Sequence, residues 1–223
     1  MKNKIFEKPT FDFSDLVLLY DCNYHNRNIA AHDLDEGAAL YKYAETTTGN
    51  ILEIGRRWGG STAVLLYGMR PNTAGRTLVS VDNAWKSEDF PPNTKVLQNR
   101  ELPQKIFDMP QMSKGLELIV HDSKTFTTDK TFDLAFIDGD HTYDGVYADT
   151  MHCWPMLNMG CIVIYHAAVP SIRPSVTWKN TRVSGVYDVE MLCDSLLKKG
   201  LVEEYDVVGT MRIFKKIKEL NNE

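Results

Sequence analysis

Apolar runs recur along the chain at 51–54, 77–81, 116–120, 132–137 and 161–165; the first opens into glycines and the other four end on an acidic or imidazole side chain. Runs this short, rich in Ile, Val, Leu and Phe, suit strands buried on both faces of a parallel sheet. Between them lie segments with helical spacing. Asp33 is a cap candidate for a helix over 34–47, with Leu34, Ala38, Tyr41 and Ala44 on one face. Gly49-Asn50 ends it. A Ser61-led helix runs to Met69, another falls within 93–108 after Pro91-Pro92, and further helices are expected at 143–157 and 185–199. Segments 201–207 and 210–215 form an antiparallel hairpin turned at Gly209, while 167–183 is irregular.

Alternation of strand and helix followed by a late hairpin predicts an α/β fold. It is a Rossmann-like doubly wound sheet, mostly parallel with a reversed C-terminal edge strand. Residues 34–223 are expected as a single domain of this kind. Residues 1–33 mix acids and aromatics and then turn Asn-rich over 21–28, which suits an N-terminal extension or lid carrying Tyr20, Tyr24 and His25. No internal repeat or low-complexity segment is visible.

Composition narrows the functional classes. A chain of 223 residues with 43% hydrophobic content has enough apolar matter for one substantial core. The net charge of -5 provides no broad basic field, so nucleic acid is not an expected partner. No stretch approaches the roughly 20 apolar residues of a membrane span. The N-terminus lacks an apolar run of the secretory kind. Cys22, Cys153, Cys161 and Cys193 are scattered, which argues against a zinc knuckle or disulfide framework and favours a reducing compartment. A cytoplasmic location is expected, and assembly as a homo-oligomer is left open. Cys153 suits a helix core and His152 a helix surface.

Chemistry concentrates where the runs end. The fourth opens into Asp138, Gly139, Asp140 and His141. Carboxyl ends of parallel strands are where open α/β sheets bind ligands, so acid, acid and imidazole there point to proton or metal chemistry at a cleft. The first run opens into Glu53-Ile54-Gly55-Arg56-Arg57-Trp58-Gly59-Gly60-Ser61. Glycines permit a tight turn and close backbone approach to a ligand. Arg57 occupies the middle glycine position of the dinucleotide fingerprint, and a P-loop Gly-Lys-Ser/Thr is missing, which weakens both nucleotide readings. The helix start at Gly59, Gly60 and Ser61 suits a carboxylate. Asp82, closing the second strand, is placed to take ribose hydroxyls. Asp122 and Ser123, after the third, are placed to address an adenine amino group.

These motifs resemble the class I S-adenosylmethionine-dependent methyltransferases, in the catechol- and macrocin-type O-methyltransferase branch. The likeness rests on Ile51-Leu-Glu-Ile-Gly-x-x-x-Gly-Gly-Ser-Thr62, on Val79-Ser-Val-Asp82, and above all on Phe136-Ile-Asp-Gly-Asp-His-x-Tyr-x-x-Val-x-x-Asp149. It spans roughly residues 34 to 216. It implies an S-adenosyl-L-methionine site lined by Glu53, Gly55, Gly59, Gly60 and Asp138, with Ser61 near the methionine carboxylate, Asp82 at the ribose, and Asp122 and Ser123 beside the adenine. It implies a small-molecule acceptor hydroxyl, on a sugar, phenol or natural product. It also implies a divalent ion such as Mg²⁺ held by the fourth-strand acid, here Asp138, and by paired acids closing the fifth strand. Here that pair is His166-Ala167, and Ala167 has no ligand atom. Asp138 with His166 remains a reduced donor set.

Methyl transfer from a sulfonium is an in-line displacement, and alignment alone can lower its barrier by about 7–11 kcal/mol. A sugar hydroxyl also needs a base or a metal. His141 is the candidate base, because imidazole titrates near neutrality, with Asp138 beside it. His166 is a second candidate, as ligand or base. Arg173, Trp178, Lys179 and Arg182 follow the fifth strand, where loops roof the substrate in such folds, and are candidates for binding an anionic or sugar-bearing acceptor. Two alternatives stay open: a catalytically impaired S-adenosylmethionine-binding protein, and a nucleotide-dependent sugar-modifying enzyme.

Overall fold

The computed structural model describes residues 32–57, 59–69, 75–83, 113–169 and 185–220. Its strands are β1 (Asn50–Ile54), β2 (Leu78–Asp82), β3 (Leu116–Val120), β4 (Phe132–Ile137), β5 (Leu157–Tyr165), β6 (Val202–Val208) and β7 (Met211–Lys216). Its helices are α1 (Leu34–Thr46), α2 (Gly60–Met69), α3 (Tyr143–Cys153) and α4 (Gly185–Lys198). The expected helix within 93–108 lies outside the described residues, as does most of 167–183.

The strands form one seven-stranded sheet in the order β3-β2-β1-β4-β5-β7-β6. Strands β1 to β5 pair in parallel. The strand that runs against the others is β7, which enters between β5 and β6, so β6 forms the outer edge. Chain order reverses between β1 and β4, and this switch point opens a crevice at the carboxyl ends of the strands.

Strand periodicity divides the core in two. Leu52, Ile54, Val79, Val81, Ala135 and Ile137 face α3 and α4, where Val146, Cys153, Val189, Leu192 and Leu196 meet them. Ile51, Leu78, Leu134 and Phe136 face the other way, against Leu40 and Ala44 of α1 and the residues of α2. All ten residues of α2 are buried, so that helix needs no polar face.

Three expectations require correction. The inward face of α1 is Glu36, Gly37, Leu40 and Ala44, while Leu34 is 50% exposed. The register is offset because buried polar partners claim Glu36. Helix α3 stops at Cys153 rather than 157, since Pro155 converts the next residues into a 3-10 turn, Trp154–Met156. Strand β5 begins at Leu157 rather than 161: its pairing with β4 skips from Leu157 to Ile162, and the intervening bulge turns through Gly160 at φ 82°. Among the described residues no helix is long and apolar enough to cross a membrane.

Leu134 is fully buried at the centre of β4. Leu134→Ala is expected to cost about 2–5 kcal/mol through lost burial and the cavity left behind, measured as a lower urea midpoint at unchanged m-value.

Candidate active site

Strand ends converge on the crevice: β2 brings Asp82, β4 brings Asp138 and His141, and β5 brings His166, beside the glycine loop of β1. The glycine loop leaves β1 through Gly55 at φ 89°, Arg57 at φ 48° and Gly59 at φ 86°. Gly55 lies so close to the end of β4 that an added Cβ would meet the Asp138 carbonyl oxygen at 2.2 Å. No other residue type fits that approach at that φ.

Asp82, at the end of β2, accepts from the backbone N–H groups of Arg56 and Arg57 on one oxygen, Oδ2, both at 2.8 Å. Its carboxylate therefore shapes the loop directly. The Arg56 guanidinium folds back onto the Ser80 carbonyl at 2.7 Å. Glu53 is fully buried beneath α2. It accepts from Ser61 Oγ and Thr62 Oγ1, each at 2.6 Å, and from the Ser80 hydroxyl. Burial pushes its pKa up, against the pull of those hydroxyls and of Arg56. Glu53 and the Ser61 hydroxyl thus fasten the first turn of α2 to β1 and β2. That turn carries no acidic side chain, so its outward N–H groups and positive dipole end keep their attraction for an anion.

Asp122 is exposed beyond β3 and accepts from the Lys124 amide at 3.0 Å. Ser123 donates to buried Asp149 of α3 at 2.6 Å. Asp149 also backs the β4 loop: a Cβ on Gly139 would fall 2.7 Å from its Oδ2. Asp149 therefore braces the β3 and β4 loops against each other.

Asp138, His141 and His166 come together over the switch point. Asp138 Oδ1 accepts from His141 Nε2 and from His166 Nδ1, each at 2.9 Å. His166 closes β5, and its side chain is 13% exposed, against 34% for His141. Its other nitrogen, Nε2, lies 3.6 Å from Glu36 Oε2. Burial alone would lower the His166 pKa, but Asp138 and Glu36 outweigh it and raise it to about 10. At neutral pH His166 is therefore a cation between two carboxylates. Burial would raise the Asp138 pKa, yet the two imidazoles hold it well below the usual carboxylate range. His32, nearby and 4% exposed, is lowered to about 4 by burial and by repulsion from His166.

Arg173, Trp178, Lys179 and Arg182 lie outside the described residues, as do Tyr20, Tyr24 and His25. Sequence reasoning overlooked Glu36 and His32 and used Asp149 only as a motif member. The readable signal for Glu36 was its place three residues after the Asp33 cap candidate, the spacing of a capping box.

Asp138, His141 and His166 each offer a ligand atom, all within 4.8 Å of one another. Chemically the cluster can orient an imidazole at a crevice mouth, hold positive charge beside it, or receive a divalent ion.

Comparisons with known proteins agree with this architecture. The chain resembles the S-adenosylhomocysteine-bound methyltransferase PaMTH1 of Podospora anserina at 17% identity, TM-score 0.66, over 92% of this chain and 88% of that one. It resembles the O-methyltransferase TomG of Streptomyces achromogenes, involved in tomaymycin synthesis and crystallised with S-adenosylmethionine, at 17% identity, TM-score 0.62, covering 96% and 93%. An O-methyltransferase of Bacillus cereus in complex with S-adenosylhomocysteine matches at 18% identity, TM-score 0.61, covering 94% and 93%. No curated protein sequence matches the chain. At these identities the solved structures establish the fold. The profile of the family described as "Methyltransferase domain" matches residues 52–168, from the first strand through the glycine loop and the Asp138 cluster to the end of β5, and the chain belongs to that family.

Proposed function

We propose that the chain transfers a methyl group from S-adenosyl-L-methionine to a hydroxyl of a small molecule such as a sugar, phenol or natural product. One observation carries this reading: the Asp138–His141–His166 cluster stands beside the glycine loop at the switch point of a methyltransferase-family sheet. PaMTH1, TomG and the Bacillus cereus enzyme were each crystallised with S-adenosylmethionine or its demethylated product, and two of them are named O-methyltransferases.

The donor set fits this cofactor. The α2 N-terminus, with Gly59, Gly60 and Ser61 and no acid in its first turn, suits the methionine carboxylate. Gly55 and Glu53 form the floor, Asp82 serves the ribose side, and Asp122 and Ser123 serve the adenine side. When bound, the cofactor supplies an electrophilic methyl on a sulfonium. The chain's own task is to bring an acceptor oxygen into line and take its proton. His141 is the base: its Nε2 is committed to Asp138, which leaves Nδ1 to receive the proton. His166, held as a cation, neutralises Asp138 and offsets negative charge developing at the acceptor oxygen.

A second reading is favoured by the spacing of the same three donors. Asp138, His141 and His166 would hold a divalent ion that lowers the pKa of the acceptor hydroxyl. Two imidazoles and one carboxylate suit Mn²⁺, Fe²⁺ or Zn²⁺ better than Mg²⁺, which prefers oxygen ligands. Ala167 at φ 55° contributes no donor. Membership of the methyltransferase family leaves the nucleotide-dependent sugar-modifying alternative without support. A cofactor-binding protein without catalysis would bind the cofactor but turn over no acceptor.

Calorimetric titration with S-adenosylmethionine or S-adenosylhomocysteine is expected to show one site, and no heat at high micromolar ligand removes this reading. His141→Ala is expected to lower turnover by about 100-fold or more while leaving product-cofactor affinity within about twofold. Turnover in EDTA, compared with added Mn²⁺, Zn²⁺ or Mg²⁺, separates the base from the metal reading.

Stability supplies an independent check. The folded pKa of His166, about 10, lies above its ordinary value of 6.5. Its stabilisation is therefore complete below about pH 6.5 and disappears as pH rises through about 10. The Tm difference between metal-free wild type and His166→Gln is expected to be largest near pH 6 and to shrink steadily towards pH 10; a gap that widens with pH contradicts the assignment.

A further inference from the structure

Glu36 is an acid on the buried face of α1, where packing alone would place an apolar side chain. An uncompensated buried carboxylate is strongly unfavourable, so its partners explain its presence. One is local, from the cap just before α1, and two come from distant parts of the chain. Oε2 accepts from the Asp33 N–H at 2.7 Å. Oε1 accepts from Thr210 twice, from N–H at 2.6 Å and from Oγ1 at 2.8 Å. The remaining face of Oε2 looks at His166 Nε2 from 3.6 Å. The turn between β6 and β7 is shaped to permit this. Gly209 sits at φ 61°, and a Cβ there would fall 2.5 Å from Glu36 Oε1.

A ring with a carboxylate on one nitrogen only can pivot about that bond. His166 has one near each nitrogen, Asp138 at 2.9 Å from Nδ1 and Glu36 at 3.6 Å from Nε2, and together they limit how far the ring can turn. We propose that Glu36 is a positioning residue of the methyl-transfer site, clamping His166 from behind so that its Nδ1 stays on Asp138 and the Asp138–His141 pair keeps its orientation towards the acceptor. The inference rests on the methyltransferase reading given above. Glu36 touches no reacting atom in this scheme and acts only through His166. The β6–β7 turn thereby becomes part of the site's support, although Thr210 follows the core motif by some 60 residues.

The test is a double-mutant cycle with a structural readout. Glu36→Gln keeps the side chain's volume and its carbonyl acceptor but removes the charge behind His166. It is expected to lower kcat by at least about tenfold, with acceptor KM and S-adenosylhomocysteine affinity each within about twofold. In a His166→Gln background the same change is expected to add less than twofold, because coupled residues are non-additive. Equal losses in both backgrounds, or a loss of cofactor affinity that matches the loss of kcat, would overturn the proposal. If Glu36→Gln does not fold, Gly209→Ala displaces the carboxylate without altering it, and the same kcat-only loss, absent when His166 is Gln, is expected. Long-range ¹H–¹⁵N spectra in EDTA read the clamp without any turnover. The ring signals of His166, identified by their disappearance in His166→Gln, should shift in Glu36→Gln (or in Gly209→Ala) while those of His121 and His152 stay. Unmoved His166 signals refute the clamp. Absent cofactor binding with shifted signals would instead refute the methyltransferase reading and leave the clamp standing.

Discussion

A carboxylate largely enclosed at the end of a strand must be met by donors or lose its charge. Asp138 is met by two imidazoles on a single oxygen, and much of the crevice is arranged around that fact. His166 reaches it from β5, which brings the neighbouring parallel strand into the site. His141 reaches it from the loop of the same strand, which ties the start of α3 to the crevice floor. Replace the acid by an apolar residue and two imidazoles, one of them cationic, would lose their common anchor.

The same device recurs around the crevice. Asp82 gathers two loop N–H groups and so holds the glycine turn open against β2. Glu53 gathers three hydroxyls under α2. Asp149 joins the loops after β3 and β4, and Glu36 joins α1 to the β6–β7 turn and to His166. Each carboxylate bridges elements that the apolar core only stacks. Apolar contacts are non-directional, so packing can set the distance between a strand and a helix without setting where a loop points. Charge-assisted hydrogen bonds are directional and roughly twice as strong as neutral ones. A crevice lined this way is preorganised, with its polar groups aimed before any ligand arrives.

That arrangement also gives the histidines different surroundings. His166, nearly enclosed and flanked by acids, is kept charged. His141, more exposed and bonded to Asp138 through one nitrogen, is the imidazole to which the proposed mechanism assigns the proton transfer. His32, buried beside a cation, is kept neutral. Three identical side chains meet three environments because burial and neighbouring charge differ at each.

Much of this was written in local pattern. Five short, mostly apolar runs separated by helical segments pointed to a parallel sheet, because strands covered on both faces carry few polar positions; β3, at the sheet edge, is the partly exposed exception. The glycine loop and the Asp138–His141 segment were legible because their chemistry lies within a few consecutive residues. Element ends were less so: Pro155 cut α3 short, and the bulge at Gly160 hid the first residues of β5. What tertiary structure alone decided was partnership across the chain. That the acid of α1 would face inward, that Thr210 would meet it, and that His166 would stand between Glu36 and Asp138 depends on β7 entering the sheet beside β5. Periodicity records which face of an element is apolar, but the pairing of buried charges is set only when distant strands are hydrogen-bonded in register.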